Sequence, residues 1–150
     1  MRITRLKIAA FCFCLVLAAC APPSIEGPKE TLPDLQERLR ALPGAVVSED
    51  GLTISYPDDN LFAEGAVLPL PGGMEVLTPL IDLFLEADLQ GSATVRSTGH
   101  DAAYDQRLAE KRLDLLSRIF NNRGVAERLP LQLAADEGPA FEVRLGVGNP

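Results

Sequence analysis

The stretch DAAYDQRLAEKRLDLLSRIFNNRG, residues 101–124, decides the architecture. Asp101 is the kind of residue that accepts hydrogen bonds from the free N–H groups at a helix start, so it reads as an N-cap. Behind it, Tyr104, Leu108, Leu115, Ile119 and Phe120 are expected to face inward, and Arg107, Glu110, Lys111, Asp114 and Arg118 outward. Gly124, after Asn121, Asn122 and Arg123, suits the left-handed conformation that ends helices. A long helix with one apolar stripe must bury it against another surface, and the flanking segments supply strands. Residues 93–97 read as one strand. Leu129, Leu131 and Leu133 alternate, as do Phe141, Val143 and Leu145, and the Asp136, Glu137, Gly138, Pro139 run between them predicts a second hairpin that closes a sheet.

Upstream, Thr31 can cap a short helix with Pro33 in its first turn, placing Leu35, Leu39 and Leu42 on one face before Gly44 stops it. Residues 45–47 and 52–56 predict a β-hairpin turning at Glu49, Asp50 and Gly51. Residues 57–60 leave the sheet, and the Gly- and Pro-rich residues 61–73 read as an irregular loop across one end of the domain. Met74, Leu77, Leu80, Ile81 and Phe84 keep helical spacing. Pro79 either kinks that helix or stands just inside a start capped by Thr78. The order of helix, hairpin, helix, strand, helix, hairpin predicts an α+β sandwich with helices packed on one face of a mixed β-sheet.

The N-terminus carries a separate message. Arg2, Arg5 and Lys7 precede an apolar run over residues 8–19, long enough for a secretory signal and too short to span a bilayer. That run ends Leu17, Ala18, Ala19, Cys20, the processing pattern of a bacterial lipoprotein, in which Cys20 receives the acyl chains. Residues 1–19 are therefore expected to be a lipoprotein signal peptide, residues 20–33 a lipidated cysteine and flexible linker, and residues 34–150 the folded domain. Ala21, in place of an aspartate, favours the outer membrane. Cys12 and Cys14 fall in the signal, leaving no thiol for an internal disulfide or a cysteine metal site.

The formal charge of −7 repels nucleic acid and anionic headgroups. One His, two Tyr and no Trp leave few groups for acid–base catalysis or sugar stacking, so no enzyme activity and no cofactor are expected. His100 lacks a His or Cys partner for a metal. Ser97 and Ser117 lack the context of a nucleophile, and the paired Asp58 and Asp59 read as a solvated turn.

Over residues 45–148 the chain resembles the OmpA-like peptidoglycan-binding domains, the C-terminal family of outer-membrane protein A. The early family signature, Phe-x-x-Gly and an apolar residue after a strand, stands as Phe62, Ala63, Glu64, Gly65 and Ala66. The later one, Gly-His-Thr-Asp, a short loop, then Asn-x-x-Leu-Ser-x-x-Arg-Ala, is matched at Gly99, His100, Leu108 and Arg112, with Asp105, Ala109 and Leu113 in place of Asn, Ser and Ala. The family aspartate corresponds to Asp101 or to nothing. The resemblance implies that Arg112 grips the carboxylate of diaminopimelate in the peptidoglycan stem, and that Asp101 or Asp105 takes its ammonium. The same residues also fit plainer roles, N-capping for Asp101 and a solvated helix arginine for Arg112. The implied function is a lipid-anchored outer-membrane protein, facing the periplasm, that ties membrane to wall. The alternative is an envelope interaction module with an eroded wall site, for which Val67, Leu68 and Leu70 supply an apolar loop.

Overall fold

The computed structural model describes residues 32–134 and 136–146, with the side chains of Leu32 and Asp58 left aside. The signal segment, Cys20, Thr31 and most of the linker lie outside the described residues. The elements run α1 (Leu32–Arg40), β1 (Val46–Val47), β2 (Thr53–Tyr56), α2 (Asp58–Leu61), α3 (Gly73–Glu86), β3 (Gly91–Val95), α4 (Ala102–Arg123), β4 (Leu131–Leu133) and β5 (Phe141–Leu145).

Strand alternation divides the sheet into two chemically distinct faces. Ile54 lies opposite Val143 and Tyr56 opposite Phe141, while Ala93 and Val95 flank the same two residues from β3. All six are buried, together with Leu39, Leu77, Leu80, Ile81, Phe84, Leu116 and Phe120 from the helices. Phe141 is the hub, with Tyr56 and Phe120 both at 6.0 Å between ring centroids. The intervening residues, Thr53, Ser55, Ser92, Thr94, Glu142 and Arg144, share the opposite face. One face is therefore covered by helices and the other is polar, as the α+β reading requires.

The first hairpin forms as expected, Val46 pairing with Ser55 and Val47 with Ile54. The second does not. Strand order is β1-β2-β5-β3-β4, with β3 parallel to β4 and antiparallel to β5, so the two C-terminal strands lie on either side of β3. A parallel pair needs a crossover, and α4 is that connection. Ala134 N–H donates to the Val95 carbonyl and Arg96 N–H to the Ala140 carbonyl, so the chain between them passes over the end of β3. The Asp136 to Pro139 run, which looked like a hairpin turn, is this bridge. Phe141 and Val143 take the central position because both are fully buried there, whereas Leu133 on the edge strand is 40% exposed.

Two further expectations change. Pro79 lies inside α3, which begins at Gly73 after Gly72, so Thr78 is no cap; its hydroxyl donates to the Met74 carbonyl. On α4 the buried residues are Leu108, Ala109, Arg112, Leu116 and Phe120, while Leu115 and Ile119 are half-buried and Tyr104 is 37% exposed. The stripe follows steps of four from Leu108 and runs straight through Arg112. No helix among the described residues is long and apolar enough to cross a membrane.

Candidate functional site

The site forms where the end of β3, the start of α4 and residues 62–66 meet. Asp101 caps α4, its carboxylate accepting from Tyr104 N–H at 3.0 Å, and is itself exposed. Gly124 closes the other end in the left-handed conformation. Asp105, one turn in, points back at the loop leaving β3. It accepts from the Ser97 hydroxyl at 3.2 Å, from His100 N–H at 3.0 Å and from the His100 imidazole at 3.2 Å. Burial raises the Asp105 pKa, but these His100 and Ser97 bonds together bring it below the usual carboxylate value. An ionised carboxylate only accepts, so Nδ1 of His100 must carry the proton in this contact. The serine and the imidazole thus share one carboxylate.

Residues 62–66 are held by Phe62, which is buried and bridged to Pro69, and by Gly65 at φ 64°. The Gly65 carbonyl accepts from the Tyr104 hydroxyl at 3.1 Å. Arg112 joins this loop to the helix and to β3. Its Nε donates to the Ala66 carbonyl at 2.9 Å, Nη2 to Ala63 at 3.3 Å and Nη1 to Arg96 at 3.4 Å, and its guanidinium carbon lies 4.3 Å from the Phe62 ring centroid. At 1% exposure it is not the solvated helix arginine that its charge suggested. Carbonyl dipoles and an aromatic face make its burial tolerable.

Arg112 borders a cleft of about 170 Å³, together with Asp59, Phe62, Glu64, Gly65, Ser97 and Thr98. A wider cleft of about 600 Å³ adjoins it, sharing Ser97 and Thr98 and lined further by His100, Asp105, Ala109 and Leu133. Of the residues singled out from sequence, Arg112 lines the first cleft and Asp105 the second, while Asp101 lines neither. Glu64 and Thr98 line the first cleft with no role read for them in the sequence, and Asp59 and Ser97, read there as a solvated turn and a serine without nucleophile context, line it too. Phe62 and Gly65 were legible, because the Phe-x-x-Gly signature marks them. Among the described residues no group of three or more His, Cys, Asp or Glu side chains could hold a metal ion.

No protein-family model matches the chain, and no curated protein matches it. Among solved structures it is similar to the cell wall anchor of the T6SS from Pseudomonas aeruginosa, with 12% identity, 78% of this chain and 97% of that chain covered, and a TM-score of 0.53. It is likewise similar to a protein described as MotB like from Desulfovibrio vulgaris, with 21% identity, 78% and 89% covered, and a TM-score of 0.54. The chain shares with both an α+β fold in which helices lie on one face of a mixed five-stranded sheet, the architecture that the OmpA-like resemblance implies.

Proposed function

We propose that this chain is a non-catalytic envelope lipoprotein, acylated at Cys20 and held in the outer membrane, whose periplasmic domain binds the peptidoglycan stem and ties membrane to wall. The observation that carries the reading is the Arg112 cleft, where a guanidinium fixed by three carbonyls borders the same small space as Asp59 and Glu64. A zwitterionic side chain such as that of diaminopimelate needs both signs within reach, and the hydroxyls of Ser97 and Thr98 add neutral hydrogen-bonding groups. The acid that takes the ammonium is better sought at Asp59 or Glu64 than at Asp101, which is engaged as a cap; Asp105 reaches the cleft only through Ser97.

A second reading has one observation in its favour. Leu68, beyond the Phe62 loop, is 70% exposed, as a contact residue for an envelope partner would be. Sedimentation of the full chain with purified sacculi separates the two. Retention that is competed by a diaminopimelate-containing peptide supports the wall reading, and a protein that stays in the supernatant at low salt supports the partner reading. Mass spectrometry of the N-terminal peptide tests acylation at Cys20 independently.

A further inference from the structure

Nearly every basic side chain among the described residues has a visible electrostatic reason for its place. Arg38, Arg96, Arg118, Arg128 and Arg144 sit against carboxylates. Arg40 and Arg123 stand in the last turns of α1 and α4, where the helix dipole favours a cation. Arg112 is buried among carbonyls. Arg107 and Lys111 have neither arrangement: they lie mid-helix, one turn apart on α4, where like charges repel. In a chain of formal charge −7 this pair is a local reversal of sign.

Both side chains line one small cleft of about 140 Å³, with Gly65, Val67, Tyr104 and Leu108 as the other walls. Gly65 also lines the Arg112 cleft, so the two spaces adjoin across one backbone residue. We propose that the Arg107/Lys111 cleft is a second anion subsite, taking the free carboxylate of the residue next to diaminopimelate on the same stem peptide; it rests on the wall-binding reading above. Adjoining clefts suit this, because the γ-linked glutamyl carboxylate and the far-end carboxylate of diaminopimelate lie several bonds apart on one flexible ligand, and Gly65 walls both spaces. The chemistry suits it as well: two cations complement a carboxylate, and Val67 and Leu108 offer apolar contact to the methylenes beside it.

The test titrates the full chain, in mild detergent, with two soluble peptides, Ala-γ-Glu-diaminopimelate with the glutamyl α-carboxylate free or amidated. Wild type should prefer the free acid by about five- to tenfold, as two partly exposed charge pairs allow. The preference should shrink as salt rises. The Arg107→Gln/Lys111→Gln variant should bind both forms equally, at the affinity wild type shows for the amidated one, with an unchanged melting temperature. Equal binding of the two peptides by wild type, or a preference that survives in the double variant, overturns the subsite while leaving the Arg112 cleft standing. Failure of wild type to bind either peptide overturns the wall-binding reading and the subsite together.

Discussion

Arg96 and Arg112 are the two buried charged residues among those described, at 4% and 1% exposure, and only Arg112 donates from its side chain to backbone carbonyls. Arg96, at the end of β3, uses side chains: Nε and Nη2 form a fork on Asp136 at 3.2 Å, Nη1 donates to the Thr94 hydroxyl at 3.0 Å, and Glu142 lies 3.8 Å away. It steadies the bridge over β3, with Gly138 close enough that a Cβ there would meet the guanidinium carbon at 3.1 Å. Arg112 grips backbone carbonyls from two separate segments and rests on an aromatic ring. A side-chain anchor ties a loop to a sheet and can yield by rotamer. A backbone anchor fixes the loop itself, so the guanidinium and the cleft wall are positioned together, as a binding site requires.

Removing each arginine should expose that difference. Arg112→Ala leaves three carbonyls without their donor and opens a void against Phe62, so it should cost about 3 to 4 kcal/mol, read as a fall in the denaturant midpoint. Loss of wall binding in that variant would then partly reflect loss of the loop. Arg112→Lys keeps the charge without the fork, and separates the two effects if it binds weakly but melts close to wild type. Arg96→Ala should cost less, about 2 kcal/mol, because Asp136 is largely exposed and returns to water. An Arg96 variant as damaging as Arg112→Ala would mean that the two anchors are equivalent.

Gly65→Ala probes the loop without touching the guanidinium. Its φ of 64° is strained for any residue with a Cβ, and the new carbon would lie 3.1 Å from the Tyr104 hydroxyl oxygen. The expected loss is about 1 to 2 kcal/mol, checked by thermal melting. Stability equal to wild type would show that the loop moves freely around Arg112.

The smallest effect is on pH dependence. The Arg96 hydrogen bond, ahead of smaller contributions, holds the Asp136 carboxyl below its ordinary value of 3.8. A depressed carboxylate contributes stability that is present above pH 3.8 and lost as pH falls through the lowered value. Arg96→Gln should therefore flatten the decline in melting temperature as pH falls below about 4. Asp105, whose lowered pKa comes from His100 and Ser97, should keep its own share of that slope. An unaltered acid limb in Arg96→Gln would show that the fork carries no ionic stabilisation.

The residue sequence alone determined the features that depend on near neighbours. Helix α4 announced itself through Asp101, Gly124 and its apolar repeat, and the first hairpin through the Glu49, Asp50, Gly51 turn, because capping, φ preference and side-chain periodicity act within a few residues. Even the burial of Arg112 left a trace, since it stands midway between Leu108 and Leu116 in steps of four, but its charge argued for the surface. Only the tertiary structure decided the rest. A strand pairs with whichever neighbour buries its apolar side best, and that choice is made by segments far apart in the chain. So Phe141 and Val143 entered the centre of the sheet beside β2 and β3, the expected second hairpin became a bridge over β3, and Arg96 acquired its role in holding it. In the same way Asp59, Glu64, Ser97 and Thr98 carry no local mark of a site, and became cleft walls only when residues 62–66 were drawn onto α4 by the carbonyls that Arg112 holds.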